Sequence, residues 1–262
     1  MFVKIYCALS LVVDVVLCVC LDVVTKPWQI IIPLLMLPFV FLAFVIVHLL
    51  FCAIVSAFAN NKSDAAAPNS FAKFLLEESI VLVLFVLRFK ILESGNEMIP
   101  ADRRFLLVSN HLSGFDPITT IPGVKRYSVR FVSKPENFKI PVAGGLMRLC
   151  GFMSIDRDSP RNSMRTLHKC VDIIKNDQAS ICIYPEGHRS ETGELLEFKD
   201  GVFYVAKKAE CPVVVMTIKY EKRVLWGKKV LINYKAVIEP DTFKEMNTHT
   251  LSEKVRKIML SK

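Results

Sequence analysis

The sequence predicts an α/β fold, a layered and mostly parallel sheet flanked by helices, preceded by an N-terminal membrane-embedded helical region. Three observations lead there. Residues 1–60 hold only Lys4, Asp14, Asp22 and Lys26 as charged side chains, which cancel, so the whole net charge of +9 lies beyond them. After residue 87, short β-rich apolar runs alternate with helical patterns, as parallel sheets with crossover helices require. Several of those runs end in loops rich in His, Gly, Pro and Arg, the place where open α/β sheets bind ligands.

Taken in order, residues 28–58 form 31 positions without a charge, interrupted by Gln29, Pro33, Pro38, His48 and Ser56. As a helix this run would be about 46 Å long, more than the roughly 30 Å hydrocarbon core, so it must tilt, kink or extend into the interface. Residues 5–24 form a weaker span, because Asp14 near the centre costs about 2.5 to 3.5 kcal/mol on insertion scales. Asp14 also breaks any signal-peptide core, and no small-x-small cleavage site precedes Lys26. Two segments joined near residues 22–26 would return the chain to its starting side. The basic remainder puts that side in the cytosol.

The polar run NNKSDAAAPN at 60–69 has linker composition. We therefore divide the chain into membrane-embedded segments at 1–60, a linker at 61–69 and an α/β domain at 70–262. The domain opens on a helical pattern over 70–87, which fits either a surface-lying or an ordinary packed helix. Strands are expected at 105–108, 129–132, 152–155, 180–184, 213–218 and 230–237. Helices are expected at 162–175, where Met164, Leu167, Val171 and Ile174 share a face, and at 201–209. The eight cysteines lie mostly in apolar runs, with neither Cys-x-x-Cys nor a His/Cys cluster at zinc spacing. They read as reduced thiols, and no metal is expected.

The stretch SNHLSGFDP at 109–117 sets His111 and Asp116 five positions apart between a strand and a helix start. A carboxylate beside a histidine fixes the ring's tautomer and stabilises the imidazolium, which makes a general base. Asp116 could equally be a plain helix N-cap. There is no Gly-x-Ser-x-Gly, and nothing marks Ser113 as activated. The pair would then act directly on a substrate hydroxyl. Two more strand ends, GFMSIDR at 151–157 and YPEGHRS at 184–190, each place an arginine, Arg157 or Arg189, just past a strand. A guanidinium fork suits phosphate, and glycine lets backbone amides approach it.

These blocks resemble the glycerolipid acyltransferases, the family that includes 1-acyl-glycerol-3-phosphate acyltransferase. Asn110-His111 with Asp116 is similar to the family's His-x4-Asp signature. Residues 151–157 resemble its second block, 184–190 its Phe-Pro-Glu-Gly-Thr-Arg-Ser block, 198–201 the Phe-Lys-x-Gly after it, and 211–214 its Val-Pro block. The likeness runs in order over about 105–218. It implies that His111 is the base and Asp116 its orienting partner. It implies acceptor binding by Asn110, Arg157, Glu186, Gly187, Arg189 and Ser190, with Pro212 shaping a substrate channel. His188 in place of threonine, Tyr184 in place of phenylalanine and Val215 in place of a second proline leave acceptor and acyl length open. The implied reaction moves an acyl group from acyl-CoA or acyl-carrier protein to lysophosphatidic acid, giving phosphatidic acid. It needs no cofactor beyond the donor; membrane lipids are expected partners and nucleic acid is not. Glycerol 3-phosphate or a lyso-aminolipid are alternative acceptors, and a catalytically silent lipid-binding protein is the rival class.

Overall fold

A computed structural model of the chain describes residues 1–59, 68–222 and 226–261. In chain order it contains α1 (Phe2–Cys20), α2 (Ile31–Ala57), α3 (Ser70–Val86), β1 (Lys90–Ser94), β2 (Leu106–Ser109), α4 (Asp116–Val124), β3 (Val129–Ser133), α5 (Ala143–Leu149), β4 (Met153–Ser154), α6 (Pro160–Lys175), β5 (Ser180–Ile183), α7 (Phe203–Ala209), β6 (Val213–Lys222), β7 (Lys228–Ile238), α8 (Pro240–Phe243) and α9 (Thr248–Leu260). The linker expected at 61–69 falls mostly outside the described residues; Pro68 and Asn69 are described, and the Asn69 side chain caps α3 by accepting from Ala72 N at 3.0 Å.

The seven strands form one sheet in the order β1-β7-β6-β2-β5-β3-β4. Every neighbouring pair is parallel except β6 and β7, so β1 and β7 run against the other five. Side chains alternate across it. Leu106 and Val108 of β2 enter one core with α6, α7 and α9, while Phe105 and Leu107 enter the other with α3 and α4. The central strands are therefore buried on both faces, the reason they read as unbroken apolar runs. The expected largely parallel α/β architecture is what the chain adopts.

Boundaries differ in instructive places. The strand expected at 152–155 pairs only over Met153–Ser154, and the one expected at 213–218 continues to Lys222. Asp116 is the first residue of α4 rather than its cap, and its carboxylate accepts from N–H groups that precede the helix. β1, α5 and α9 were not anticipated.

Residues 2–20 and 27–57 are each long and apolar enough to cross a membrane. They form an antiparallel hairpin: Phe2 meets His48 at 5.2 Å and Tyr6 stacks on Phe44 at 5.8 Å between ring centroids. α3 lies antiparallel to α2, with Phe71 against Phe51 and Phe85 against Phe41. His48 ties the three helices, bonding Tyr6 through Nδ1 and Ser79 through Nε2, both at 2.9 Å. Asp14 is turned inward, 3 % exposed, which keeps it off the outer face of the hairpin. Leu11, Val12, Val15, Leu34, Leu35 and Phe39 stand exposed there. In α3, Ala72 and Leu75 are fully buried, while Phe71, Phe74 and Phe85, which touch the hairpin, stay partly exposed.

Candidate active site

β2 is the central strand, and the loop after it carries His111 between β5 and β6. Asn110 fixes that loop: its Nδ2 donates to Ile218 O at 2.9 Å and its Oδ1 accepts from Ile218 N at 2.7 Å, so both ends of the amide are engaged by β6. The expected acceptor contact from Asn110 is thus replaced by a register pin. His111 Nδ1 lies 2.7 Å from Asp116 Oδ2. An ionised carboxylate only accepts, so Nδ1 carries the proton and Nε2 keeps its lone pair.

Asp116 is fully buried, yet its charge is well solvated by the protein. Besides His111, Oδ2 accepts from Leu112 N at 2.7 Å and Ser113 N at 2.9 Å. Oδ1 accepts from the Tyr220 hydroxyl at 2.7 Å. Burial and the Asp116 charge push the Tyr220 phenol far above its ordinary range, so it stays protonated and acts as a donor. Tyr184 stacks on the imidazole, 4.5 Å between centroids and 23° between planes. Tyr220 was not found from sequence because β6 was read to end at Ile218. The signal was there: Met216, Ile218 and Tyr220 occupy alternate positions on one face.

The loop after β5 braces the His111 loop. Glu186, 2 % exposed, accepts from His111 N through Oε1 at 2.6 Å and from Leu196 N through Oε2 at 2.8 Å. Burial raises its carboxyl above the usual range, partly offset by those two donors. Ser190 N donates to His111 O at 2.8 Å, and Ser190 Oγ is buried. Gly187 sits at φ +74°, with room for a side chain, so backbone conformation is what calls for glycine there. Glu186 and Gly187 therefore shape the loop rather than reach outward.

Arg189 and Arg157 do reach outward. Both are exposed and neither forms an ion pair among the described residues, although partial burial lowers the pKa of the Arg157 guanidinium and Glu136 acts on it in the opposite sense. Arg189 Nη1 lies over Gly114 of the His111 loop. Asp156 is occupied within its own turn by Asp158 N at 3.2 Å and Asn162 Nδ2 at 3.1 Å, leaving Arg157 unneutralised by it. Pro212 does not join them. Its carbonyl accepts from Leu106 N at 2.9 Å, at the end of β2 opposite the His111 loop. Among the described residues no three His, Cys, Asp or Glu side chains converge as metal ligands would.

Residues 90–219 match the family model described as acyltransferase. A chloroplastic 1-acyl-sn-glycerol-3-phosphate acyltransferase of Brassica napus is 34 % identical over 142 residues, covering 53 % of this chain and 40 % of that protein. The chain thus spans about two fifths of the length of such plant relatives. The 1-acyl-sn-glycerol-3-phosphate acyltransferase of Streptococcus pneumoniae is 26 % identical, covering 72 % of this chain and 70 % of its own. The crystal structure of the 1-acyl-sn-glycerophosphate acyltransferase from Thermotoga maritima superposes with a TM-score of 0.61 at 24 % identity, covering 80 % and 84 %, which establishes a common fold. With the His111–Asp116 pair and both arginine-bearing strand ends, residues 90–219 carry the pattern of the acyltransferase family.

Proposed function

We propose that the protein transfers a fatty acyl group from a thioester, acyl-CoA or acyl-carrier protein, to the free hydroxyl of 1-acyl-glycerol 3-phosphate, giving phosphatidic acid. The observation that carries this reading is His111 held through Nδ1 by Asp116 at 2.7 Å, with the Arg189 guanidinium over Gly114 of the same loop. The acceptor hydroxyl attacks the thioester carbonyl as its proton passes to Nε2. The tetrahedral intermediate then expels the thiolate, which takes the proton back from the imidazolium. Asp116 stabilises the transient positive ring without itself being protonated. Arg157 and Arg189 supply charge-assisted donors for the acceptor's phosphate. The apolar hairpin supports a bilayer location, since acceptor and product are lipids, and the basic α/β domain supports a cytosolic orientation.

The test incubates purified protein with labelled acyl-CoA or acyl-carrier protein and lysophosphatidic acid, and follows phosphatidic acid. His111→Ala should lower turnover at least about 10²-fold. Arg157→Ala should lower kcat/KM for lysophosphatidic acid roughly 10- to 150-fold, with little change in donor KM. Wild-type preference for an acceptor without phosphate would move a lyso-aminolipid ahead. Absence of turnover with every donor and acceptor would favour a silent lipid-binding role.

A further inference from the structure

The sheet's strand directions put three features at one end of the molecule. β2 and β6 run toward the catalytic loop, and β1, running the other way, starts there. The end of α3, which feeds β1, and the described ends of β6 and β7, Lys222 and residues 226–228, therefore flank the His111 loop. Phe89 links them to it, its ring 5.4 Å from Phe115 between His111 and Asp116.

This end also faces the projecting part of the α1–α2 hairpin. Phe85 meets Phe41, so α2 residues 31–40 and the matching part of α1 extend beyond α3 by about 15 to 20 Å. Where the hairpin emerges, Phe85, Val86 and Leu87 are exposed, and beside them Trp226 is 63 % exposed. The Arg88 guanidinium lies 4.6 Å from the Trp226 ring centroid, and Gly227, at φ +90°, packs on the Leu87 and Arg88 carbonyls, which seats residues 226 and 227 on the end of α3. Lys222 and Lys228 are exposed on either arm of the β6–β7 ribbon.

We propose that Trp226 and the end of α3 form a second membrane contact, seated at the headgroup level of an anionic bilayer, that turns the His111 loop toward the lipid surface. An indole ringed by Lys and Arg is the side-chain set that partitions to the interface: the ring sits among headgroups and the cations meet lipid phosphates. Its position beside the emerging hairpin means that seating the hairpin in a leaflet carries Trp226 to the boundary. The contact rests on the proposed bilayer location of the hairpin and adds to it, since a hairpin alone leaves the domain free to swing. With both contacts the domain has a fixed tilt, and an acceptor enters from the bilayer plane.

The chain's two tryptophans separate the two statements, because Trp28 lies in the hairpin turn. Full-length Trp28→Phe and Trp226→Phe proteins are reconstituted in phosphatidylcholine vesicles with and without phosphatidylglycerol, using lipids brominated near the headgroup or near the acyl tail. The expected result is quenching of Trp226 chiefly by the shallow bromines, stronger with phosphatidylglycerol, together with quenching of Trp28. Quenching of Trp28 with Trp226 unaffected would overturn the second contact and leave the embedded hairpin standing. Quenching of neither would overturn both. Trp226→Ala should also raise the apparent KM for vesicle-borne lysophosphatidic acid about three- to tenfold, with activity on a dissolved short-chain acceptor unchanged. Equal loss on both acceptors would count against a surface role.

Discussion

Asp116 shows how a single carboxylate is made to do one job. Three donors converge on Oδ2 and one on Oδ1, so the group is buried, charged and unable to rotate. Among the described residues only Tyr220 holds Oδ1, and it comes from a strand outside the loop, which makes it a positioning residue for the His111 ring. Tyr220→Phe keeps the ring that packs under Lys228, at 5.1 Å, while removing the donor. A hydrogen bond to a charged group is worth about 1.5 kcal/mol at the lower end of its range, so kcat should fall about tenfold. KM for both substrates should hardly change, because the hydroxyl is engaged by Asp116. Steady-state kinetics with both substrates varied check this; a loss confined to KM would assign Tyr220 to binding instead. The His111–Asp116 contact was legible because both residues stand in one short block next to an apolar strand. Tyr220 was not, since its partner lies 104 positions away and no local pattern announces the pairing.

At the level of elements, what the sequence concealed follows from how each piece is buried. β1 alternates exposed and half-buried positions, so Lys90 and Glu93 interrupt any apolar run. α5, with the sequence AGGLMRL, looks like a turn because adjacent glycines disfavour helix. Packing overrides propensity there. A Cβ at Gly144 would overlap the Phe138 carbonyl, and one at Gly145 would overlap Ser56 at the end of α2. The glycines let α5 approach a backbone on one side and α2 on the other, a reason invisible from local sequence. Gly144→Ala should therefore destabilise the protein by about 1 to 3 kcal/mol despite its better helix propensity. Thermal unfolding in detergent would register this as a lowered Tm; an unchanged or raised Tm would mean that the neighbouring segment yields freely.

For the whole molecule, the contrast between a net-neutral, apolar N-terminal stretch and a basic remainder lies in the composition, whereas the sheet order does not, because it depends on which buried strands meet. The resulting geometry makes two different physical attachments to lipid separable. Apolar helix surface left exposed on α1 and α2 is stabilised by hydrocarbon and is indifferent to ionic strength. The attraction of the domain's net charge of +9 to anionic headgroups is screened within about 8 to 10 Å at physiological salt. Washing membranes that carry the full chain with high salt, and separately at alkaline pH, should leave the protein in the pellet, since neither treatment weakens burial of the hairpin. Removing residues 1–59 tests the remainder: any binding that survives should rest on the basic domain and Trp226, and should be released by salt. Full-length protein in the alkaline supernatant would show that the hairpin is not embedded, and salt-resistant binding of the truncated chain would show that the α/β domain holds the bilayer by more than charge.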